Sequence, residues 1–207
     1  MIDTNDKTIQ AYDHGSAEYS AATSQDLSQS IEAWLDIAVD HLPQASKILE
    51  IGSGTGKDAH YLESMGYSVE RSDAAPAFVA QLQRHYPTTR TLNILTEPIA
   101  TVYDLILANA VLLYFSPAQC QTILGKLHGA LTPHGRLALT LNGEKVINRK
   151  LGLPRYFCYW QADPIRNLLV TSGYTDIAIT VVPDNRQNKP DWLLIHANKA
   201  NKDVHED

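Results

Sequence analysis

Three glycines at alternate positions, Gly52, Gly54 and Gly56, follow the apolar run Ile48-Leu49-Glu50-Ile51, which carries a single acid. Glycines at this spacing allow φ > 0 and let a ligand approach the main chain closely. Beyond them Tyr61, Leu62 and Met65 fall on one side of a helix, whose first N–H groups are free donors. Strand, glycine turn and helix make the first half of a βαβ unit suited to a nucleotide-like ligand. A dinucleotide fingerprint would need glycine where Lys57 stands, and a phosphate-binding loop would need glycine at Ile51 and a hydroxyl residue at Asp58. Glu50 would repel a pyrophosphate and tolerates a positively charged or zwitterionic ligand. A second acid, Asp73, ends the run Tyr67–Asp73, close to the roughly 20-residue offset at which an acid meets a ribose in such folds. A carboxylate there can accept from both ribose hydroxyls. Asp73 is also placed to cap the following helix, which Pro76 enters.

Other chemistry is sparse. There is no Ser-His-Asp or H-E-x-x-H arrangement, and Cys120 and Cys158 lack the spacing of a zinc site, so no metal is expected. Rings are concentrated in Tyr12 and Tyr19, in Tyr114-Phe115, and in Tyr156-Phe157-Cys158-Tyr159-Trp160. Aromatic faces suit a cation or a planar apolar molecule. Tyr114, Tyr156 and Tyr159 can line a pocket or fill a core, whereas Trp34 and Tyr86 read as core. His14 is a candidate base; His134 lies in a turn and reads as a surface residue.

The elements that would position these groups follow from periodicity. Thr8 to Ala22 is polar and aromatic, with Gly15 interrupting any helix. Gln25 to His41 carries Leu27, Ile31, Trp34, Leu35 and Ala38 at helical spacing. Ala77 to Tyr86 repeats that pattern. Thr89 to Leu95 is β-prone and is the expected third strand. Tyr103 to Ala108 is apolar except for Asp104, as for a strand buried on both faces. Ser116-Pro117-Ala118-Gln119 is a capping box, and Cys120, Ile123, Leu124, Leu127 and Leu131 line one face of its helix. Thr132 to Gly135 turns into the strand Arg136 to Leu141. Alternating strands and helices predict an α/β fold, with helices on both faces of a parallel sheet. An irregular stretch, 142–160, breaks the alternation. A short helix from Asp163 to Gly173 and two strands, Ile177 to Val182 and Trp192 to Ala197, then close the chain as an antiparallel hairpin around the polar stretch Pro183 to Pro190.

The 207 residues read as one domain with a mobile tail at 198–207. The formal net charge of −6 and the lack of a Lys/Arg run argue against a nucleic-acid partner. Only two cysteines, no apolar run of membrane-spanning length and a polar N-terminus without a signal-peptide core give a soluble, cytoplasmic protein as the expectation. Oligomeric state is not legible.

Taken together, these motifs and their order resemble the class I S-adenosylmethionine-dependent methyltransferases, over roughly Thr8 to Ala197. The resemblance implies a Rossmann-like, doubly wound, mostly parallel seven-stranded sheet of order 3-2-1-4-5-7-6, with its last strand pair antiparallel. It implies S-adenosylmethionine as cofactor and S-adenosylhomocysteine as product, and a lid for the N-terminal segment 1–24. Glu50, Gly52, Ser53, Gly54 and Gly56 would wrap the methionine part, Asp73 the ribose, and Ala74 would flank the adenine. Asn93-Ile94 would stand at the adenine edge, where many members have Asp. The run Tyr103 to Ala110 matches the fourth-strand motif, whose end, with Asn109, approaches the cofactor's amino group and the transferred methyl. Members that methylate amide or base nitrogens often have Asn/Asp-Pro-Pro-aromatic after that strand. Asn109-Ala110-Val111-Leu112 is closer to small-molecule members. Methyl transfer by in-line displacement rests on positioning, with His14 or Tyr114 as candidate catalytic groups and Tyr12, Tyr19, Tyr114, Tyr156 and Tyr159 as the acceptor wall. A protein or RNA methyltransferase, and a non-catalytic S-adenosylmethionine-binding protein, are the alternatives.

Overall fold

The computed structural model of the protein describes residues 4–24, 26–143, 156–184 and 191–200. In chain order the elements are α1 (Thr4–Ala22), α2 (Gln29–Val39), β1 (Ile48–Ile51), α3 (Lys57–Ser64), β2 (Val69–Asp73), α4 (Pro76–Leu82) and β3 (Arg90–Thr91). They continue with β4 (Tyr103–Ala108), a 3-10 turn (Leu112–Tyr114), α5 (Pro117–Gly129), β5 (Leu131–Asn142), α6 (Ala162–Thr171), β6 (Tyr174–Val182) and β7 (Trp192–Lys199). One seven-stranded sheet runs in the order β3-β2-β1-β4-β5-β7-β6. Strand β7 lies antiparallel to both neighbours, and the other pairs are parallel. This is the predicted Rossmann-like order.

Strand β4 shows why the sheet has two covered faces. Leu105 and Leu107 pack with Trp34, Leu35 and Leu62 from α2 and α3. Ile106 and Ala108 pack with Ile123, Leu127 and Ile165 from α5 and α6. Each buried leucine contributes roughly 1.5–3 kcal/mol by leaving water. The one acid of the strand, Asp104, is absorbed by the backbone N–H of Lys47 at 2.9 Å and the Thr132 hydroxyl at 2.9 Å. Helix α5 begins with the capping box read from Ser116 and Gln119.

Several expectations are corrected. Gly15 does not interrupt α1, which runs through it for 19 residues. Its buried residues are Asn5, Thr8 and Ser16, so no apolar period signals the helix. The third strand is only Arg90–Thr91, because Asn93 turns the chain: its carbonyl accepts from Thr96 and Glu97. Helix α4 ends at Leu82, short of Tyr86. Leu131 belongs to β5 rather than to the preceding helix. The Thr132–Gly135 turn is an irregularity inside that strand, with His134 at φ 67° and a register shift against β4. Strand β6 starts at Tyr174, ahead of Ile177, and accommodates Asp176 at φ 49° in a bulge. Residues 144–155 of the 142–160 stretch, 185–190 of the hairpin connection and 201–207 of the tail lie outside the described residues. No helix among the described residues is long and apolar enough to cross a membrane.

Candidate functional site

The parallel strands β1, β2 and β4 end on one edge of the sheet, and the glycine turn leaves β1 there. At Gly52, φ is 69°, and an added Cβ would stand 2.5 Å from a Val111 methyl. Only glycine lets the turn pass this closely beneath the segment after β4. Ser53 ties the turn to β2: its N–H donates to the Ser72 carbonyl at 2.9 Å, and its hydroxyl accepts from the Ser72 N–H at 3.2 Å. Gly56 caps α3, and a Cβ there would press to 2.7 Å from Leu82. It is a packing glycine that lines no cavity.

Asp73 holds backbone N–H groups on both sides of the β2 exit, while the N-cap of α4 is Ala75, without a side-chain cap bond. One carboxylate oxygen accepts the Gly54 N–H at 2.9 Å, and the other accepts the Ala75 N–H at 2.8 Å. The acid thus clamps the glycine turn to the entry of α4 and keeps lone pairs for a ligand. Burial raises its pKa, opposed by the N–H groups of Ala75, Gly54 and Ala74.

Two cavities open over this edge. The first, about 770 Å³, holds Gly52, Gly54, Asp73, Ala74, Asn93, Ile94 and Asn109 from the predicted set. It is closed by Phe78, Leu92, Val111 and Phe115, together with Thr8 and Ile9 of α1. The second, about 1160 Å³, holds Ser53, Lys57 and Asp58 on one side and Ile31, Trp192 and Leu194 on the other. Tyr19, Gly52, Gly54, Asn109 and Ala110 line both, so the cavities meet at the glycine turn and the end of β4. Asn109 is rigidly held. Its Nδ2 donates to Asp58 at 2.6 Å, and its Oδ1 accepts from the Thr140 hydroxyl at 2.6 Å. Thr140 in turn accepts the N–H of Ala110 at 2.9 Å, which fixes Ala110 at φ 57°. A non-glycine residue in that region costs about 1–3 kcal/mol, so the β4 exit is shaped against local preference.

The remaining predicted residues divide. Glu50 is buried beneath the turn and lines neither cavity. Asn93 faces the first cavity, but its side-chain oxygen already accepts the Leu95 N–H at 3.1 Å, which leaves one lone pair and the amide donors for an adenine edge. Tyr12, Tyr19 and Tyr114 face the same chamber as Asp73. The Tyr12 and Tyr114 hydroxyls are hydrogen-bonded, and Tyr12 meets Tyr19, Phe78 and Tyr114 at ring separations of 5.6, 6.2 and 5.5 Å. Tyr114 meets Phe157 at 5.2 Å, and Phe157 in turn stacks on Tyr159 at 6.5 Å. Tyr159 and Tyr156 line neither cavity. Burial raises the Tyr156 pKa, with smaller contributions from Cys158 and Cys120. His14 is exposed on the outer side of α1, with Nδ1 against the Gln10 carbonyl at 2.7 Å, away from both cavities. The aromatic wall therefore roofs the chamber that Asp73 lines. Sequence reasoning missed Asp58 and α1 residues such as Thr8. Asp58 entered only as the residue that spoils a phosphate loop, because an acid in the first turn of a helix is accounted for by the helix dipole alone.

Residues 49–137 match a family model described as a methyltransferase domain. No curated protein sequence matches the chain. Among solved structures, the fold is similar to that of magnesium protoporphyrin IX methyltransferase from Synechocystis PCC 6803 with bound SAM, at TM-score 0.73 and 16% identity, covering 97% of this chain and 99% of that one. It is also similar to 1,6-didemethyltoxoflavin-N1-methyltransferase from Burkholderia thailandensis, solved with 1,6-didemethyltoxoflavin and S-adenosylhomocysteine, at TM-score 0.69 and 21% identity, covering 93% and 88% of the two chains. A third is an amino pentose methyltransferase from Micromonospora echinaspora with SAM bound, at TM-score 0.63 and 14% identity, covering 90% and 96%.

Proposed function

From the premise that the chain is a class I S-adenosylmethionine-dependent methyltransferase, we propose that its acceptor is a small molecule. The observation that carries this reading is the roof over the site. Helix α1 contributes Thr8, Ile9, Tyr12 and Tyr19 to the first cavity, and Tyr19 also lines the second, so the junction where the reacting groups would meet is reached beneath a helix rather than across an open face. The acidic balance, net −6, and the small acceptors in the names of two of the similar structures support the same reading. A cytoplasmic location belongs to it as well, on the strength of two unpaired cysteines, Cys120 and Cys158.

The residues present fit the cofactor. Bound there, S-adenosylmethionine supplies an electrophilic methyl on a sulfonium. Asp73 takes the ribose hydroxyls with the lone pairs left by Gly54 and Ala75. Ala74, Asn93 and Ile94 bound the adenine space. Gly52 and Gly54 bring backbone against the middle of the ligand, where the cavities meet. Asn109 and Ala110, locked by Asp58 and Thr140, border that junction and would help to position the reacting groups there. Tyr12, Tyr19 and Tyr114 exclude water from it.

Titration calorimetry with S-adenosylhomocysteine should show one site per chain. Tritiated methyl cofactor, incubated with the protein and cell lysate, should place label in the acid-soluble fraction. Label confined to acid-precipitable material would overturn the small-molecule reading, and lack of any cofactor binding at millimolar ligand would overturn the cofactor assignment.

A further inference from the structure

The glycine pattern places its acid at Glu50, yet the carboxyl that lines the second cavity is that of Asp58. Asp58 is the second residue of α3 and is 6% exposed. One of its oxygens accepts from Asn109 at 2.6 Å, and the other, Oδ1, is buried without a hydrogen-bond partner among the described residues. A buried carboxylate oxygen left without a donor carries its desolvation penalty uncompensated. Beside a cavity, such an atom marks a missing donor. Lys57 stands on the same wall, so the cavity presents both signs of charge, as a zwitterionic amino-acid group requires.

Resting on the cofactor reading above, we propose that Asp58, and not Glu50, is the carboxylate that receives the α-ammonium group of the ligand's amino-acid half. The place is consistent with the ligand's path. The second cavity continues from the junction at Gly52, Gly54 and Asn109, beyond the chamber of the ribose acid.

Glu50 acts through Asp58 as a positioning residue. Both carboxyls are buried, and two neighbouring negative charges cannot both persist there. The pKa of Glu50 is pushed up to about 8, first by burial and next by the charge of Asp58, and the Asn109 amide that donates to Asp58 at 2.6 Å favours the charge on Asp58. The groups facing the pair are few. The Ser53 side chain bonds to Glu50, the charge of Arg71 of β2 acts on it next, and the Ala59 N–H adds less; both terminal nitrogens of Arg71 are held by Glu63 at 2.6 and 2.7 Å. Lys57 and Asn109 favour the charged form of Asp58 against its own burial.

The test compares S-adenosylhomocysteine with its analogue lacking the α-amino group, by calorimetry on the full chain. The wild-type protein should prefer the amino form by about tenfold or more near pH 7.5, the effect of one charge-assisted hydrogen bond. Asp58→Asn, whose amide oxygen can still accept from Asn109, should reduce that preference to about twofold or less, with a cooperative urea transition showing that the variant is folded. Glu50→Gln, isosteric with the protonated acid, should keep the preference. The wild-type preference should fall as pH is lowered and Asp58 gains a proton, a readout independent of any variant. An undiminished preference in Asp58→Asn, its loss in Glu50→Gln alone, or a wild-type preference independent of pH would each overturn the proposal. Wild-type protein that bound neither ligand would overturn the cofactor reading beneath it.

Discussion

The buried acids also set how stability depends on pH. Glu50 ionises near 4.5 in an ordinary setting and near 8 in the folded chain. Between those values the native state keeps a proton that the unfolded chain has released. Stability is therefore full at the acid end of this window and declines as pH rises through it, by up to about 1.4 kcal/mol per pH unit for one proton. Glu50→Gln removes that proton exchange, so its urea midpoint should vary less between about pH 5 and 8 than that of wild type. Parallel curves for the two proteins would show that Glu50 is ionised in the fold. A residual slope is expected, because burial raises Asp58 and Asp73 in the same direction. At this scale the sequence was legible where a residue's type implies its partner. Asp73 was recognisable because a strand-end acid has few uses. Asp58 was not, because its meaning depends on Asn109, 51 residues away, turning an amide toward it.

Among the elements, α1 departs most from its sequence pattern, and the reason is the kind of contact that holds it. Asp13 accepts the Ala77 N–H at the start of α4 at 2.7 Å. Gln81 bonds the hydroxyls of Ser16 and Ser20 at 3.2 and 3.1 Å, and Tyr12 bonds Tyr114. These are polar anchors, so hydrophobic periodicity has nothing to report, and tertiary bonds override the low helix propensity of Gly15. The same logic explains the short third strand, where β-prone residues yield to the turn made by Asn93. Open space surrounds the Cβ position of Gly15. Gly15→Ala should therefore stabilise α1 by about 0.5–1 kcal/mol, which is roughly two- to fivefold in its local opening equilibrium. Amide hydrogen exchange across residues 4–22 should slow by that factor. Unchanged or faster exchange would show that this segment does not close over the site as a helix. If α1 is the roof of the adenosine chamber, the same variant should also lengthen the residence of S-adenosylhomocysteine.

On the scale of the whole molecule, site and core share the same strands. β1 and β4 carry Leu49, Leu105, Ile106 and Leu107 inside, all at most 1% exposed, and they end in the glycine turn and Asn109. This is why a parallel α/β sheet could be read from the sequence, whereas its strand order came from the family resemblance. Buried parallel strands leave near-continuous apolar runs, and the alternation of runs with helices restricts the topology. Sites between elements, such as the second cavity, leave no such trace, because Ile31, Asp58 and Trp192 come from α2, α3 and β7. The shared strands have a thermodynamic consequence. A ligand that holds the ends of β1, β2 and β4 stabilises the entire sheet rather than one lobe. At 100 times its dissociation constant, S-adenosylhomocysteine should raise the unfolding free energy by about 2.7 kcal/mol. Tryptophans on opposite faces report whether that gain is shared. Trp34 packs with α2 and α3, and Trp160 packs with the cluster around α5 and α6. In urea, single-tryptophan variants retaining Trp34 or Trp160 should keep coincident midpoints, and both should move together when ligand is added. A shift seen by Trp34 alone would mean that the two faces unfold separately, and that the glycine turn is coupled to only one of them.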